Sequence, residues 1–485
     1  MPPPRSTSLQ FVNGWLVPAH AFRALALGVL VGAIAAPYLP ISLALYSGAL
    51  LACLVLAWRF PRHSASWLAL TGVCLLLLRS AFVPTSPANL LPLGPAEFTA
   101  RVVAAPRTTD RSARYVVEPR GLSPLVVVAK PIPSYAFGDE LHVKCKNVAQ
   151  TEQPELSGGV ERTCTFPEMY RTAQASPSFR GSLLTLRRVL GNRVRALLPE
   201  PPASLVTGML WGDDEGLPRS LVLAFRRTGT SHILAVSGYN VMLLVTLCFS
   251  LLVGLGLWRP TASVGVLAMV AAFVAFTGAE PAVVRAGIMG SLVVLGRTFG
   301  RRPDRLNILL AAAAAMLLFQ PGVVSGLSFQ LSFAAMGGLL FLAPIVEPRL
   351  SFLPAAWSLR EAASQTVAAT LVTAPVVLVR LGSFSVVTPI ANLLVAPVVP
   401  LVYLLSLPLL VPFPGSSVLV PPIALLLIVL LSLFVWVVGS LASLPWAAAA
   451  QPVAAWVVAL AVYALVAWWL WPSRAKRGKA TSQIT

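Results

Sequence analysis

The sequence predicts a polytopic, all-α membrane bundle of about twelve spans that carries a small inserted extracytoplasmic β-barrel. Three observations predict it. Hydrophobic residues make up 57% of the chain and charged residues 11%, where soluble domains are about a quarter charged. Apolar runs of spanning length are separated by short basic loops. A single stretch, residues 97–175, breaks into short β-type runs punctuated by Pro, Gly, Ser and Asp.

The net charge of +19 is unevenly spread. Residues 1–96 hold five basic and no acidic residues, 97–175 ten against nine, 176–230 eight against four, and 231–485 thirteen against four. Most of the excess therefore lies in the membrane parts, where cytoplasmic Lys and Arg set orientation. A basic balance of this kind does not by itself imply nucleic-acid binding. Of the five cysteines, Cys53, Cys74 and Cys248 lie in apolar runs and act as small hydrophobes. Only Cys145 and Cys164, in the polar insertion, are placed to form a staple. No CxxC or Cys/His cluster with zinc-site spacing occurs.

The first domain, 1–96, has apolar runs at Ala21–Pro37, Ile41–Ala57 and Trp67–Leu78. Arg59, Arg62 and His63 separate the second and third runs, and placing them in the cytoplasm puts the N-terminus inside and residues 97–175 outside. In that insertion, Phe98–Val103, Tyr115–Glu118, Leu125–Val128 and Glu140–Cys145 read as strands. The length suits a five-stranded barrel of the OB type, a fold that often binds single strands through basic grooves and stacked aromatics. Arg101, Arg107, Arg111, Arg114, Lys130 and Lys144 are the candidate phosphate partners, and Tyr115 leads the candidate aromatics with Phe98, Tyr135 and Phe137. A structural cap of nearly zero net charge explains the domain equally well.

Residues 176–230 open with a basic amphipathic helix, with Leu183, Leu186, Leu190, Val194 and Leu197 on one stripe and Arg188 and Arg195 opposite. Such a helix suits the outer membrane interface. The membrane domain, 231–472, holds about nine further spans, near 231–257, 261–276, 281–296, 306–319, 323–346, 361–380, 384–411, 418–440 and 446–470. On this count Arg259, the Arg297–Arg305 loop, Arg349, Arg360 and the basic tail 473–485 are all cytoplasmic; Arg380 is the exception.

Polar groups among apolar helices are costly and usually face a bundle interior or a wet path. Three clusters qualify: Ser231–Val241 with His232, Ser237, Gly238 and Asn240; Gly278–Gly287 with Glu280 and Arg285; and Leu327–Gly338 with Gln330 and Ser332. Each has a plain structural reading: Glu280 pairs with Arg285, His232 bonds a backbone carbonyl, and Gln330 holds two helices together. Recurring near one membrane depth, they point jointly to a translocation path. Asp213, Asp214 and Glu215 have no histidine nearby and read as a solvated loop rather than a metal site.

The segment Gly208–Val241, with the lead-in Phe225-Arg226-Arg227-Thr228-Gly229-Thr230-Ser231-His232, resembles the ComEC competence family. Pro281–Gly290, Gly326–Phe333 and Ser364–Pro400, with Pro389–Leu394 inside the last, resemble that family's later motifs in the same order. The likeness runs from roughly residue 97 to 410. It implies an outward OB-like domain followed by a competence domain that conducts one DNA strand through the bacterial cytoplasmic membrane while the other is degraded. His232, Ser237, Gly238, Asn240, Glu280, Arg285, Gln330, Ser332 and Asn392 then line or shape the path. Cys145 and Cys164 sit where the family's outer domain can be disulfide-bonded, and both termini are expected in the cytoplasm.

Two departures matter. Tyr239-Asn240 follow Ser237-Gly238 where the family commonly has Leu-His, so a role for that histidine does not transfer. The four histidines, His20, His63, His142 and His232, do not make the HxHxDH site of the family's metallo-β-lactamase-like nuclease. The expected partners are single-stranded DNA, membrane lipid, and a separate DNA receptor, nuclease and ATP-driven DNA translocase, since no GxxxxGK[ST] loop occurs. No metal, cofactor or catalytic residue is expected. Rival readings are an intramembrane hydrolase using Ser237 with His232, which on one helix would point about 140° apart, and a transporter of a small solute or lipid.

Overall fold

The computed structural model describes residues 19–450 apart from 37–42, 60–63, 82–89, 105, 109–111, 152–161, 175–177, 214–215, 235, 237, 280, 301–303, 355–358, 382, 386, 396, 411–415 and 445–446. Three helices come first, α1 (Ala19–Ala35), α2 (Leu43–Arg59) and α3 (Ser64–Ala81). Seven strands follow: β1 (Gly94–Val102), β2 (Arg107–Thr108), β3 (Ala113–Pro119), β4 (Leu125–Ala129), β5 (Glu140–Gln150), β6 (Arg162–Thr165) and β7 (Glu168–Ala173). Then come α4 (Phe179–Leu197), α5 (Pro202–Trp211), α6 (Arg219–Thr228), α7 (Gly238–Gly254), α8 (Arg259–Phe276), α9 (Pro281–Thr298), α10 (Arg305–Phe319), α11 (Leu327–Gly337), α12 (Ala343–Val346) and α13 (Leu359–Leu381). The described chain closes with β8 (Ser383–Ser385), α14 (Thr388–Val395), α15 (Val398–Leu410), α16 (Ser416–Ala442) and β9 (Ala448–Ala450).

The chain forms two compact units, Met1–Thr85 with Leu292–Gly326, and Ser86–Ser291 with Leu327–Thr485. In the first, α1 and α3 touch backbone to backbone. A Cβ on Gly28 would stand 1.8 Å from the Ala69 carbonyl oxygen, and one on Gly72 2.2 Å from that of Leu25. Small residues of this kind let apolar helices approach closely where no hydrophobic drive holds them. Polar ties bring in α10: Arg23 Nε donates to Asn307 Oδ1 at 2.7 Å, and its Nη2 pairs with Asp304 at 3.1 Å. Arg79 donates to the Leu318 carbonyl at 2.9 Å, satisfying an orphan acceptor at the C-terminus of α10.

In the second unit, β1, β3, β4, β6 and β5 pair in that order, and β1 pairs back with β5, which closes a five-stranded barrel. β4 and β6 run parallel and the other barrel pairs antiparallel. Alternate residues of β3 point inward, and with Val102, Leu125, Val127, Leu141, Val143 and Val148 they fill the core. Cys145 and Cys164 are joined across β5 and β6, with Cα atoms 6.1 Å apart. β7 lies outside the ring, paired along β5.

The helical core of this unit gathers α5, α6, α15 and α16 around Leu205, Met209, Phe225, Leu409, Leu427 and Phe434. α4 docks through Gly191 and Val194, and its Arg193 donates to the Leu409 carbonyl at 2.7 Å. Of the expected apolar stripe, Val194 is buried and Leu190 packs against the core while Leu186 and Leu197 are exposed, as are Phe179 and Val189 elsewhere on α4.

Among the described residues, Arg259–Phe276, Leu327–Leu350, Leu359–Arg380 and Val418–Ala442 are long and apolar enough to cross a membrane. The expected continuous span 384–411 is corrected to a strand followed by two helices, α14 and α15, bent by 43°. Pro397, which has no N–H to continue a helix, falls in the gap between α14 and α15. Of the expected span 446–470, the structure describes Ala447 and the strand β9, which pairs with β8; residues 451–470 lie outside the described residues.

Candidate functional site

Arg285, on the second turn of α9, lies against Gly238 at the start of α7 and Phe333 in the middle of α11. α8 ends in a Schellman turn: the Ala279 N–H donates to the Val274 carbonyl at 2.9 Å and the Gly278 N–H to that of Ala275 at 3.2 Å. Gly278 has φ +87° and Ala279 φ +58°, two consecutive left-handed residues that turn the chain into α9. Pro281 then opens α9, a position where its missing N–H costs nothing. α9 packs on α8 at Gly287, where an added Cβ would meet Val274 at 3.0 Å, and on α7 at Gly290, 3.4 Å from Met242.

This packing buries Arg285, which is 7% exposed. Its Nη1 lies 3.8 Å from the Met289 sulfur, one turn on, and its guanidinium carbon sits 5.8 Å from the centre of the Phe333 ring. Nε is buried without an acceptor, and no described carboxylate reaches the guanidinium. Nη2 stands 3.2 Å from where a Cβ on Gly238 would be, so the cation approaches the first residue of α7 through space that any side chain would occupy.

The other expected path residues are placed differently. Asn240 is 1% exposed and its Nδ2 donates to the Met209 carbonyl at 2.8 Å, tying α7 to α5. His232 occupies a 3-10 turn, Ser231–Ile233, and its Nδ1 donates to the Gly229 carbonyl at 3.1 Å. Gln330 and Ser332 are half-buried on α11. Asn392, on α14, has a buried Oδ1 without a hydrogen-bond partner among the described residues. Ser237 and Glu280 lie outside the described residues, so neither the Ser237–His232 pair nor the Glu280–Arg285 pair is described. His232 lies in a 3-10 turn that ends at Ile233 and α7 begins at Gly238, so the one-helix geometry that counted against the hydrolase reading is not the geometry at His232.

On the barrel, Arg101, Arg114, Lys130 and Lys144 are exposed. Arg101 lies opposite Glu118 and Glu140, and Lys144 opposite Glu97 and Glu168, so acidic neighbours temper both cations. Arg107 stands opposite Arg114 in the register of β2 and β3. Arg111 lies outside the described residues. Tyr115 corrects its expected role: it is 1% exposed in the barrel core, edge-on to Tyr135 at 5.7 Å, and offers no face for a base. It lies inward because alternate residues of β3 fill the interior. Burial pushes both phenols above the ordinary tyrosine range.

An open aromatic face exists instead at residues that the sequence did not single out. Tyr170 on β7 is 58% exposed and stacks on His142 of β5, ring centres 4.8 Å apart. His142 Nε2 lies 2.8 Å from Glu97. Strand register, which placed Tyr170 opposite His142, is the signal that was missing.

A family profile described as "Competence protein" matches residues 209–476, more than half of the chain. The chain belongs to the competence protein family. ComE operon protein 3 of Bacillus subtilis (strain 168) is 28% identical over 236 residues, which cover 49% of this chain and 28% of the relative. An uncharacterized Escherichia coli (strain K12) protein, YcaI, is 25% identical over 221 residues, covering 44% of this chain and 29% of its own. The matched part thus spans less than a third of either curated relative. No solved structure matches. The matched region of this competence protein contains α7, α9 and α11, and so the whole environment of Arg285.

Proposed function

We propose that this competence protein conducts single-stranded DNA across the bacterial cytoplasmic membrane during natural transformation, making and breaking no bond itself. The observation that carries the reading is Arg285: a buried cation among apolar helices with no described carboxylate beside it, inside the region matched by the family. An ion left unpaired in such surroundings costs several kcal/mol, and ionisable groups kept among membrane helices mark ion and substrate pathways.

The barrel supports the same reading from the other end. The order β1-β3-β4-β6-β5 with its single parallel pair is an OB-type arrangement. The Tyr170–His142 face beside Lys144, with the exposed Arg114 on β3, supplies stacking and phosphate contacts for a single strand. The exposed apolar face of α4 suits the outer interface, with the barrel outside and both termini in the cytoplasm. A DNA receptor, a nuclease and an ATP-driven translocase belong to this proposal as separate partners.

Uptake of end-labelled DNA into a nuclease-protected form tests it, in cells deleted for this protein and in the same cells carrying the wild-type chain. Internalisation is expected to vanish in the deletion and return with the chain; normal internalisation in the deletion strain refutes the proposal.

A further inference from the structure

We infer that Phe166, at the kink between β6 and β7, is a stacking contact for an unpaired base of the strand. This rests on the DNA-conducting function proposed above and places a contact away from the strands that such barrels usually present.

The kink follows from side-chain alternation. Successive residues of a strand point to opposite faces, so residues an odd number apart should face opposite ways. Cys164 nevertheless lies in the barrel core, and Met169, five positions on, packs against that same core. One extra residue is taken up between them, as in a bulge. Thr165 and Phe166 are consequently both exposed, and Phe166 adopts a left-handed backbone with φ +49°. β5 makes the matching adjustment: Cys145 and Val148, three apart, both face inward, which leaves Lys146 and Asn147 exposed. The two irregularities share one gap of the register, between the pairs Cys164–Val148 and Glu168–Lys144.

Glycine takes a left-handed conformation without steric cost, whereas a bulky side chain in it is a strained outlier of the kind that gathers at functional sites. Glycine would therefore serve the kink better. Instead an aromatic ring is held out, 57% exposed. Its mount is firm: the Phe166 N–H donates to the Val128 carbonyl at 2.6 Å, and the Tyr135 hydroxyl donates to that of Met169 at 2.8 Å. A ring ordered in advance gives up little freedom on contact.

The charges around the ring select its occupant. Lys146 shares the gap with Phe166, Lys144 ends it, and Lys130 follows Val128, the register partner of Thr165. All three lysines are exposed. The acidic neighbours are Glu97 and Glu168, both opposite Lys144, so the balance is positive. Four residues along the same strand, Tyr170 exposes a second ring. Rings that take the face of any base, with cations that take the phosphates, are how a single strand is held without regard to sequence. The strands that such barrels usually present are the second and third of the ring, here β3 and β4. Their outward residues Arg114, Val116, Glu118, Val126 and Val128 include no aromatic, and Val126 is buried.

The test uses the full chain in nanodiscs of zwitterionic lipid, with two probes of equal length: a thymidine oligonucleotide and an abasic deoxyribose-phosphate oligomer. Phe166→Gly should weaken thymidine binding about tenfold, within what one stacked base supplies, and leave abasic binding level. It should also keep or raise the exchange protection of the β5 and β6 amides, since the left-handed position is relieved. Phe166→Trp, which restores a larger ring, should bind the thymidine probe at least as well as the wild type. The contact is overturned by unchanged thymidine affinity in Phe166→Gly, by equal losses for both probes, or by a wild type that binds neither. Reduced protection in Phe166→Gly also overturns it, because the ring would then be packing rather than waiting for a base. The broader function stands or falls separately: wild-type thymidine affinity in Phe166→Gly rejects this contact alone, whereas intact uptake by deletion cells rejects the conducting role.

Discussion

The barrel and the α7–α9–α11 cluster each bury one ion, and they treat it in opposite ways. Asp139, 1% exposed at the start of β5, is fully provided for: Arg171 pairs with it at 2.9 Å, and the Ala136 N–H donates to its Oδ2 at 2.8 Å. Around it the backbone bonds of Val102 and Gly138 lock β1 to the same turn. Arg285 is nearly as deeply buried, and among the described residues its side-chain contacts are a sulfur and an aromatic ring. A buried charge with its partners in place completes a fold, because removing either partner leaves the other stranded. A buried charge without described partners is a cost to the fold, and that cost is the ground of the path role proposed for Arg285.

Breaking the first arrangement should have the largest effect. Asp139→Ala removes a buried acceptor of two donors and is expected to destabilise the barrel by about 2–4 kcal/mol. Hydrogen exchange of the β1, β3 and β5 amides in the full chain measures this; Asp139→Asn, which keeps the Ala136 contact, should cost less. Unchanged protection in Asp139→Ala would abolish the contrast with Arg285.

A smaller effect is expected from alkaline pH, confined to the barrel. Burial raises the pKa of Tyr115 and Tyr135, in the latter against the opposing pull of Arg171. The folded state therefore favours the protonated phenols. Their contribution is complete below the ordinary phenol value of about 10 and is lost as pH rises through the higher folded values. Phenolate absorbance should show a late-titrating fraction that shrinks in Tyr115→Phe.

The smallest change expected is a gain. Ala279 holds a left-handed backbone at φ +58° on the exposed turn into α9, a conformation that costs a residue with a Cβ about 1 kcal/mol. Ala279→Gly should raise the thermal midpoint slightly and leave oligonucleotide binding alone, provided the turn merely delivers Arg285. A change in binding with no change in stability would mean that the turn itself participates.

Much of the fold was legible because its signals are local. Short β-type runs gave β1, β3, β4 and β5, and apolar runs gave most of the helices with ends within a few residues of those described, the spans 231–257 and 384–411 excepted. What the sequence could not supply was long-range pairing. Arg23 reaches Asp304 and Asn307 nearly three hundred positions away, and the grouping of α10 with α1 and α3 has no local trace. The site divides the same way. Arg285 and Gly238 stood out as a charge and a small residue in apolar runs, but their approach depends on three helices packing. Tyr115 misled because an aromatic on a strand looks the same facing in or out until the register is known, whereas Tyr170 was passed over on a strand too polar to notice.

The bond between Cys145 and Cys164 ties β5 to β6 and closes a ring of chain 19 residues apart in sequence. Closing a loop of that size withholds conformational freedom from the unfolded barrel worth about 3 kcal/mol, and the helices share none of it. Purification buffers containing a thiol reductant would therefore loosen one end of this protein selectively. Material handled that way is expected to keep its helices and lose barrel order, so the strand contact proposed for the barrel has to be assayed with this bond intact.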